Sequence, residues 1–202
     1  MVATRRLLDL DPRLYAQLEL LPEHLTGEIL NGRLIVSPRP ASPHAFAMSG
    51  LGAVLTTRFQ YGGGDGPGGG WILDDPELHL GADALAPDLA GWKKARMSVL
   101  PDVAAFTLAS DWVCEGLSGS GTFDREEKLP TYARHGVRHA WPMDPREHRL
   151  EVFRNVRGAF RPVATYDGDA KVKAEPFDAV GLDLSLFWLR GTRSPRRRKA
   201  KQ

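Results

Sequence analysis

Three acidic residues stand where the pattern of apolar residues predicts strands rather than solvent-exposed surface. Glu28 lies in the run GEIL, Asp88 follows a proline at the edge of LAPDLAGW, and Glu115 lies inside WVCEGL, the most apolar predicted strand. A carboxylate inside a buried strand costs several kcal/mol unless it is paired, hydrogen-bonded or bound to a cation. Glu115 therefore needs a partner.

Two kinds of partner are compatible with these acids. Carboxylates that converge on one point form the oxygen-rich site that Mg²⁺ or Mn²⁺ prefers, and such an ion can activate water and offset the charge of a phosphate. Lys128 nearby would then orient the water or stabilise developing charge. In the purely structural alternative, Glu115 pairs with Lys128 or an arginine, and Asp88 caps a turn. Residue spacing alone leaves both interpretations open.

The elements that must position these side chains alternate between helices and strands. A helix predicted over 13–21 precedes a hairpin over 27–36, in which an Asn-Gly pair tolerates the positive φ of a tight turn. A second helix over 44–59 precedes the glycine-rich run 62–70. That run lacks the ending of a phosphate-binding loop and is predicted to be a plain loop. This interleaving indicates an α/β or α+β fold with a mixed sheet.

The second half of the chain continues the alternation. The predicted elements are strands at 71–73, 77–80, 85–92, 112–117 and 138–143, a helix at 124–135, and a hairpin formed by 149–154 and 160–166. Asp124, Lys128 and Tyr132 would share one face of this helix. If the helix instead begins at Pro130, Lys128 belongs to a loop and that shared face is lost.

Composition and length exclude several classes of protein. A single cysteine, Cys114, can form neither an internal disulfide nor a cysteine zinc cluster, which indicates a reducing compartment, by default the cytoplasm. No stretch approaches the ~20 apolar residues of a membrane span, and the charged first residues are unlike a signal peptide. The 202 residues predict one domain over 1–189 and a tail over 190–202.

The basic residues are unevenly distributed along the chain. The tail, 190–202, holds seven of the 27 lysines and arginines and no acidic residue, which leaves 20 basic against 25 acidic side chains elsewhere. Runs of like charge usually stay solvated and disordered, and we expect this of the tail. The alternative is weak electrostatic attraction to nucleic acid.

Four stretches of the sequence stand in a distinctive order: ELLPEHLTGEILNGRLIVSPRP, PDLAGW, WVCEGLS and FDREEKLPTYARHGVRHAWPMDP. Together they resemble the Uma-two (Uma2) family in the PD-(D/E)XK restriction-endonuclease-like superfamily. The similarity extends from about Tyr15 to Trp188. It implies an α/β (α+β) fold in which helices flank a central mixed β-sheet, with an N-terminal helix and β-hairpin added.

The resemblance also implies a role for each residue of the candidate site. Asp88 matches the acid of the PD element, Glu115 the acid of the later strand, and Glu28 the acid of the N-terminal hairpin. These three would bind Mg²⁺ or Mn²⁺. The usual lysine position of the superfamily is Leu117 in this chain, and Lys128 matches members in which the lysine has moved to the next helix.

The activity implied by the resemblance is metal-dependent hydrolysis of phosphodiester bonds in nucleic acid. DNA is the first expected substrate. No membrane partner is implied, and a homodimer is compatible with the sequence. The alternative is a non-catalytic relative that keeps the fold and binds nucleic acid or protein. Gly116, Gly119, Gly121 and Pro142 depart from the family pattern, since glycine costs entropy to order and proline removes a strand donor. The looser turn after Glu115 and the net negative charge of the body favour the non-catalytic alternative. The complete set of acids favours the enzyme.

Other polar side chains are weaker candidates. His44 resembles a position that the family often fills with histidine, and we interpret it as a neighbour of the site whose main role is to cap a helix at the surface. Cys114 and Trp141 are predicted to be core residues. A helix end between His135 and His139 argues against a zinc pair.

Overall fold

The computed structural model describes residues 10–118 and 121–191, which contain three α-helices and thirteen strands. The helices are α1 (Pro12–Glu19), α2 (Ser42–Leu55) and α3 (Leu129–Arg134). The strands are β1 (Leu25–Leu30), β2 (Arg33–Pro38), β3 (Gly70–Asp74), β4 (Glu77–Leu80), β5 (Asp83–Leu85), β6 (Leu89–Lys93), β7 (Ala105–Phe106), β8 (Trp112–Gly116), β9 (His139–Asp144), β10 (Arg149–Val156), β11 (Ala159–Asp167), β12 (Lys171–Val172) and β13 (Leu182–Asp183). No described helix has the length and apolar character that a membrane crossing requires.

Irregular turns extend two of these helices. A π-helical turn, Thr56–Gln60, continues α2, another, Asp124–Lys128, leads into α3, and a 3₁₀ turn covers Leu184–Phe187. The expected disordered tail lies almost entirely outside the described residues, so its disorder stays a prediction. The glycine-rich run ends in strand β3 rather than in a helix, as predicted for a plain loop.

The predicted N-terminal hairpin is present. Asn31 and Gly32 adopt φ values of 51° and 71°, which are the left-handed conformations of a tight hairpin turn. The turn sets the register of β1 against β2, with Glu28 opposite Ile35. Helix α1 packs beside this hairpin at Gly27, where a side chain would meet Leu18 of α1 and Leu21 just after it.

Two main sheets form the fold. The six-stranded sheet has the order β11-β10-β9-β8-β6-β3 and is mixed, because β8 and β9 are parallel while the other neighbours are antiparallel. The five-stranded sheet has the order β2-β1-β5-β4-β7, and β12 pairs with β13. The expected mixed sheet with flanking helices is confirmed.

One predicted strand was wrong. The run 85–92 is divided between β5 and β6, which belong to different sheets. Pro87 lies between them and cannot donate to a strand ladder, so the chain leaves one sheet there and enters the other. This crossing places Asp88 directly before β6.

Helices α2 and α3 cover opposite faces of the six-stranded sheet. Cys114 packs towards α2, with its Sγ 4.0 Å from Met48 Sδ, and Trp141 belongs to the same buried cluster. Val113, on the alternate face of β8, packs in the cluster that contains Tyr132 of α3. The core positions predicted for Cys114 and Trp141 are confirmed.

Pro142 lies in β9, inside the six-stranded sheet. The ladder between β9 and β10 pairs Ala140 with Phe153 and Met143 with Leu150. Trp141 and Pro142, which lie between these two pairs, have no partner in β10. The register is the same on both sides of this gap. The sheet thus accommodates a residue without an N–H group by opening the ladder locally instead of ending the strand.

Phe177 closes the apolar layer beneath α2. Its ring centroid lies 4.7 Å from Phe59, 4.9 Å from Trp112 and 5.3 Å from Trp141. Phe177 is 7% exposed, whereas Phe46 on α2 is 45% exposed. The two residues therefore form a matched pair for testing how much this layer contributes to stability.

Replacing Phe177 with alanine should lower the free energy of unfolding by about 3–5 kcal/mol, because it removes a buried ring and leaves a cavity. The Phe46→Ala change should cost less than ~1 kcal/mol, since much of that ring is already in water. Urea denaturation followed by tryptophan fluorescence measures both. Equal losses in the two variants would contradict this account of the core.

Candidate active site

The register between β6 and β8 brings two acids together at one end of the sheet. Leu89 pairs with Cys114 in this antiparallel ladder, and extending the register by one residue sets Asp88 opposite Glu115. Residues opposed in this way have Cβ atoms about 4.5–5.5 Å apart. Acids on adjacent strands are the arrangement that the resemblance implies.

Glu115 is buried and makes two short contacts with the helical segment that follows β8. Lys128 Nζ lies 2.9 Å from Glu115 Oε2, and the Tyr132 hydroxyl donates to Oε1 at 2.7 Å. All three residues are at most 5% exposed. The expected position of Lys128 beside Glu115 is found, and its role in catalysis stays a prediction.

A π-helical turn carries Lys128 into this position. The Leu129 N–H donates to the Asp124 carbonyl, five residues back. Pro130 has no N–H and its ring would crowd the Glu126 carbonyl in a regular α-helix, so the wider turn relieves both problems. The helix is therefore continuous through Pro130, and Lys128 is not in a loop.

Glu28 reaches the same ammonium group from the other sheet. Its Oε1 lies 3.0 Å from Lys128 Nζ and accepts a hydrogen bond from the Ala86 N–H at 2.9 Å. Lys128 thus bridges Glu28 of β1 and Glu115 of β8. Glu115 therefore pairs with Lys128, as the structural alternative for this residue expects.

Asp88 is held by different donors. Its Oδ1 lies 2.7 Å from His44 Nε2, and its Oδ2 accepts from the Gly116 N–H at 2.7 Å. The side chain of His44 does not cap α2, whose N-terminal residue makes no side-chain cap bond. The expectation that His44 mainly caps a helix is wrong, because the imidazole is turned towards the acid instead.

Burial and mutual repulsion act on the carboxylates of this cluster. Burial is the main cause that raises the pKa of Glu115 well above its usual range; Lys128 opposes the shift, while Asp88 and Glu28 add to it. Burial likewise raises the pKa of Asp124, again against the effect of Lys128. The protein alone therefore stabilises the charged forms of Glu115 and Asp124 poorly, chiefly because both are buried.

Burial and the neighbouring acids also shift the pKa values of Lys128 and Tyr132, the two donors to Glu115. Burial alone would lower the pKa of Lys128, but the charges of Glu115 and Glu28 outweigh it and raise the pKa, so the ammonium stays charged. Burial and the charge of Glu115 raise the pKa of Tyr132, which stays a neutral hydrogen-bond donor.

Sequence reasoning missed Asp75 as a member of this cluster. Its N–H donates to the Asp88 carbonyl at 3.0 Å, and burial together with the charge of Asp88 raises the pKa of its carboxyl group. The available signal was an Asp-Asp-Pro sequence directly after a predicted strand, which is also an ordinary turn pattern.

Comparison with known proteins places the chain in a family. A family model described as "Uma2: Putative restriction endonuclease" matches residues 13–186. The chain belongs to the Uma2 family. No curated protein matches it.

A solved structure is similar to this Uma2 chain over most of its length. It is the crystal structure of a protein described as a "putative nuclease belonging to DUF820" from Anabaena variabilis. The TM-score is 0.68 at 21% sequence identity, and the match covers 86% of this chain and 96% of that one. At this identity the likeness establishes the shared fold, which is the restriction-endonuclease-like fold expected from the sequence.

The residues of this Uma2 chain fit a hard divalent cation by chemistry, although their present positions do not form a ready-made cage. Within 10–118 and 121–191, no three His, Cys, Asp or Glu side chains are placed to hold a metal ion together. Lys128 lies between Glu28 and Glu115 and occupies the position where their charges converge. Carboxylate oxygens and excess negative charge are nevertheless what Mg²⁺ and Mn²⁺ require.

Replacing Lys128 with methionine should destabilise the Uma2 chain by about 3–5 kcal/mol near pH 8, because Glu115 and Glu28 would lose their buried counter-charge. Without the ammonium group, the pKa of Glu115 rises further above its unfolded value. The native state then holds a proton that the unfolded state releases, so stability is lost as pH rises and recovered as pH falls. The deficit should therefore be smaller near pH 5.5, as measured by urea denaturation.

The matched control is Lys171→Met, since the side chain of Lys171 is 81% exposed. This change should cost no more than ~0.5 kcal/mol at either pH. A Lys128→Met deficit that is the same at both pH values would show that Glu115 does not depend on this ammonium group.

Proposed function

We propose that this chain is a metal-dependent endonuclease that hydrolyses phosphodiester bonds in DNA. Asp88 and Glu115 would be the ligands of Mg²⁺ or Mn²⁺, with Glu28 as a supporting ligand. The observation that carries the proposal is the placement of Asp88, directly before β6, beside Glu115 of the neighbouring strand β8, with Lys128 bonded to Glu115. Membership of the Uma2 family supports nuclease chemistry for the chain.

The charge of the cluster supports a cation as the missing component. Burial and neighbouring acids raise the pKa of Glu115 and Asp124, which means that their charged forms are poorly compensated by the protein alone. A bound divalent cation would compensate them, lower the pKa of a water molecule and offset charge on the phosphate. The same reasoning implies that a phosphodiester is repelled from the site until the acids are neutralised.

The residues of the chain supply positioning around that cation. Lys128 has three N–H donors, of which Glu115 and Glu28 take two in the described contacts, so the third can meet a water molecule or a phosphate oxygen. Tyr132 holds the other oxygen of Glu115 and prevents the carboxylate from rotating. The ammonium group stabilises charge at the phosphate in the transition state.

Cleavage of plasmid or oligonucleotide DNA should depend on added Mg²⁺ or Mn²⁺ and stop with a chelator. Asp88→Asn and Glu115→Gln should each lower the rate at least about 100-fold, because the amide keeps the shape but removes the charge that holds the cation. The matched control is Asp102→Asn, an exposed acid in the connection that leaves the opposite end of β6 from Asp88, which should cleave at the wild-type rate.

Two results would contradict the proposal. Undiminished cleavage by the Glu115→Gln protein would place the chemistry elsewhere or in a contaminant. A wild-type protein that binds DNA in the presence of Mn²⁺ without cutting it would favour the non-catalytic alternative.

A further inference from the structure

His44 makes its one described side-chain contact with an acid of the proposed site. Its Nε2 lies 2.7 Å from Asp88 Oδ1, and 12% of its side chain is exposed. An ionised carboxylate can only accept hydrogen bonds, so Nε2 carries the proton and donates it. Nδ1 is buried and has no hydrogen-bond partner among the described residues. The imidazole is therefore committed to Asp88 rather than shared between two structural partners.

Gly116 provides the space in which this imidazole lies. A Cβ atom at position 116 would lie 2.8 Å from His44 Cε1, 2.9 Å from Nε2 and 3.0 Å from Nδ1. Real Cβ atoms essentially never approach other atoms so closely, and the φ of Gly116 is not in the left-handed region. The glycine thus leaves the room that the imidazole occupies in this position, and its φ gives no separate reason for glycine.

The two donors together orient the Asp88 carboxylate. The Gly116 N–H holds Oδ2 and belongs to the residue directly after Glu115, so it ties Asp88 to the strand that carries the other acid. The His44 N–H holds Oδ1 from α2. Each oxygen keeps a second lone pair. With both oxygens restrained, the directions of those lone pairs are fixed before any cation arrives.

We propose that His44 is a positioning residue, seated on the bare α-carbon of Gly116, that orients Asp88 for the cation. The inference rests on the proposed function, because it assigns His44 to the same metal site. Hydrogen-bond partners of metal ligands typically contribute 10–100-fold to affinity.

Isothermal titration with Mn²⁺ alone tests the inference without relying on cleavage. His44→Ala should weaken Mn²⁺ binding by about 10–100-fold, because Oδ1 of Asp88 loses its donor. His44→Gln should stay within about 3-fold of wild type, since its amide nitrogen reaches as far as Nε2 and can donate the same bond. His24→Ala, at an exposed histidine on the N-terminal side of β1, should bind Mn²⁺ like wild type.

Gly116→Ala provides an independent variant, because it keeps the backbone N–H to Asp88 but displaces the imidazole. It should weaken Mn²⁺ binding as His44→Ala does, and combining the two changes should weaken binding little further. Circular dichroism confirms that each variant is folded. If Gly116→Ala does not fold, the comparison of His44→Ala with His44→Gln decides alone.

The outcomes separate this inference from the proposed function. Wild-type Mn²⁺ affinity in a folded His44→Ala protein overturns the inference, while Asp88→Asn and the cleavage assay still test the enzyme. Equal weakening in His44→Ala and His44→Gln overturns it too, because the donated bond would then not be the cause. A wild-type protein that binds no Mn²⁺ overturns both.

Discussion

The contact of one buried ammonium group with two carboxylates holds the site and the two sheets together. Lys128 meets Glu28 from the five-stranded sheet and Glu115 from the six-stranded sheet, at 3.0 and 2.9 Å. Any one of these charges would be costly to bury alone. Each charge finds its partner only when both sheets and the segment leading into α3 pack together. The position of each of these three parts therefore depends on the other two.

Further polar contacts reinforce the same junction. Asp83, the first residue of β5 in the five-stranded sheet, accepts from the Asn31 N–H at 2.7 Å and lies 2.9 Å from His135 Nε2 just after α3. Arg134 donates to the side chain of Asn31 at 2.7 Å. The hairpin turn is thereby tied to the end of the helix. The hairpin that carries Glu28 and the helical segment that carries Lys128 are therefore also held together by polar contacts outside the site.

What could be predicted from the sequence depended on the range of the interactions concerned. The Asn-Gly hairpin depends on local interactions and was predicted correctly. Family resemblance named Glu28, Asp88, Glu115 and Lys128 as site residues, and their roles stay predictions. The division of 85–92 between two sheets was missed, because the apolar residues on both sides of Pro87 and Asp88 resemble one continuous strand. Likewise, the contact of His44 with Asp88 joins residues 44 apart in the sequence. The imidazole lies in space that is open because Gly116 has no side chain.

The same long range has a consequence for the chain during its synthesis. Glu28 lies in the first hairpin, yet its partner is a hundred residues further along, and Tyr132 comes later still. A ribosome must therefore release most of the domain before these groups can meet. Incomplete chains and cleaved fragments carry the acids without the arrangement, so nuclease activity at this site would belong to the finished fold alone and a cell would not be exposed to it earlier.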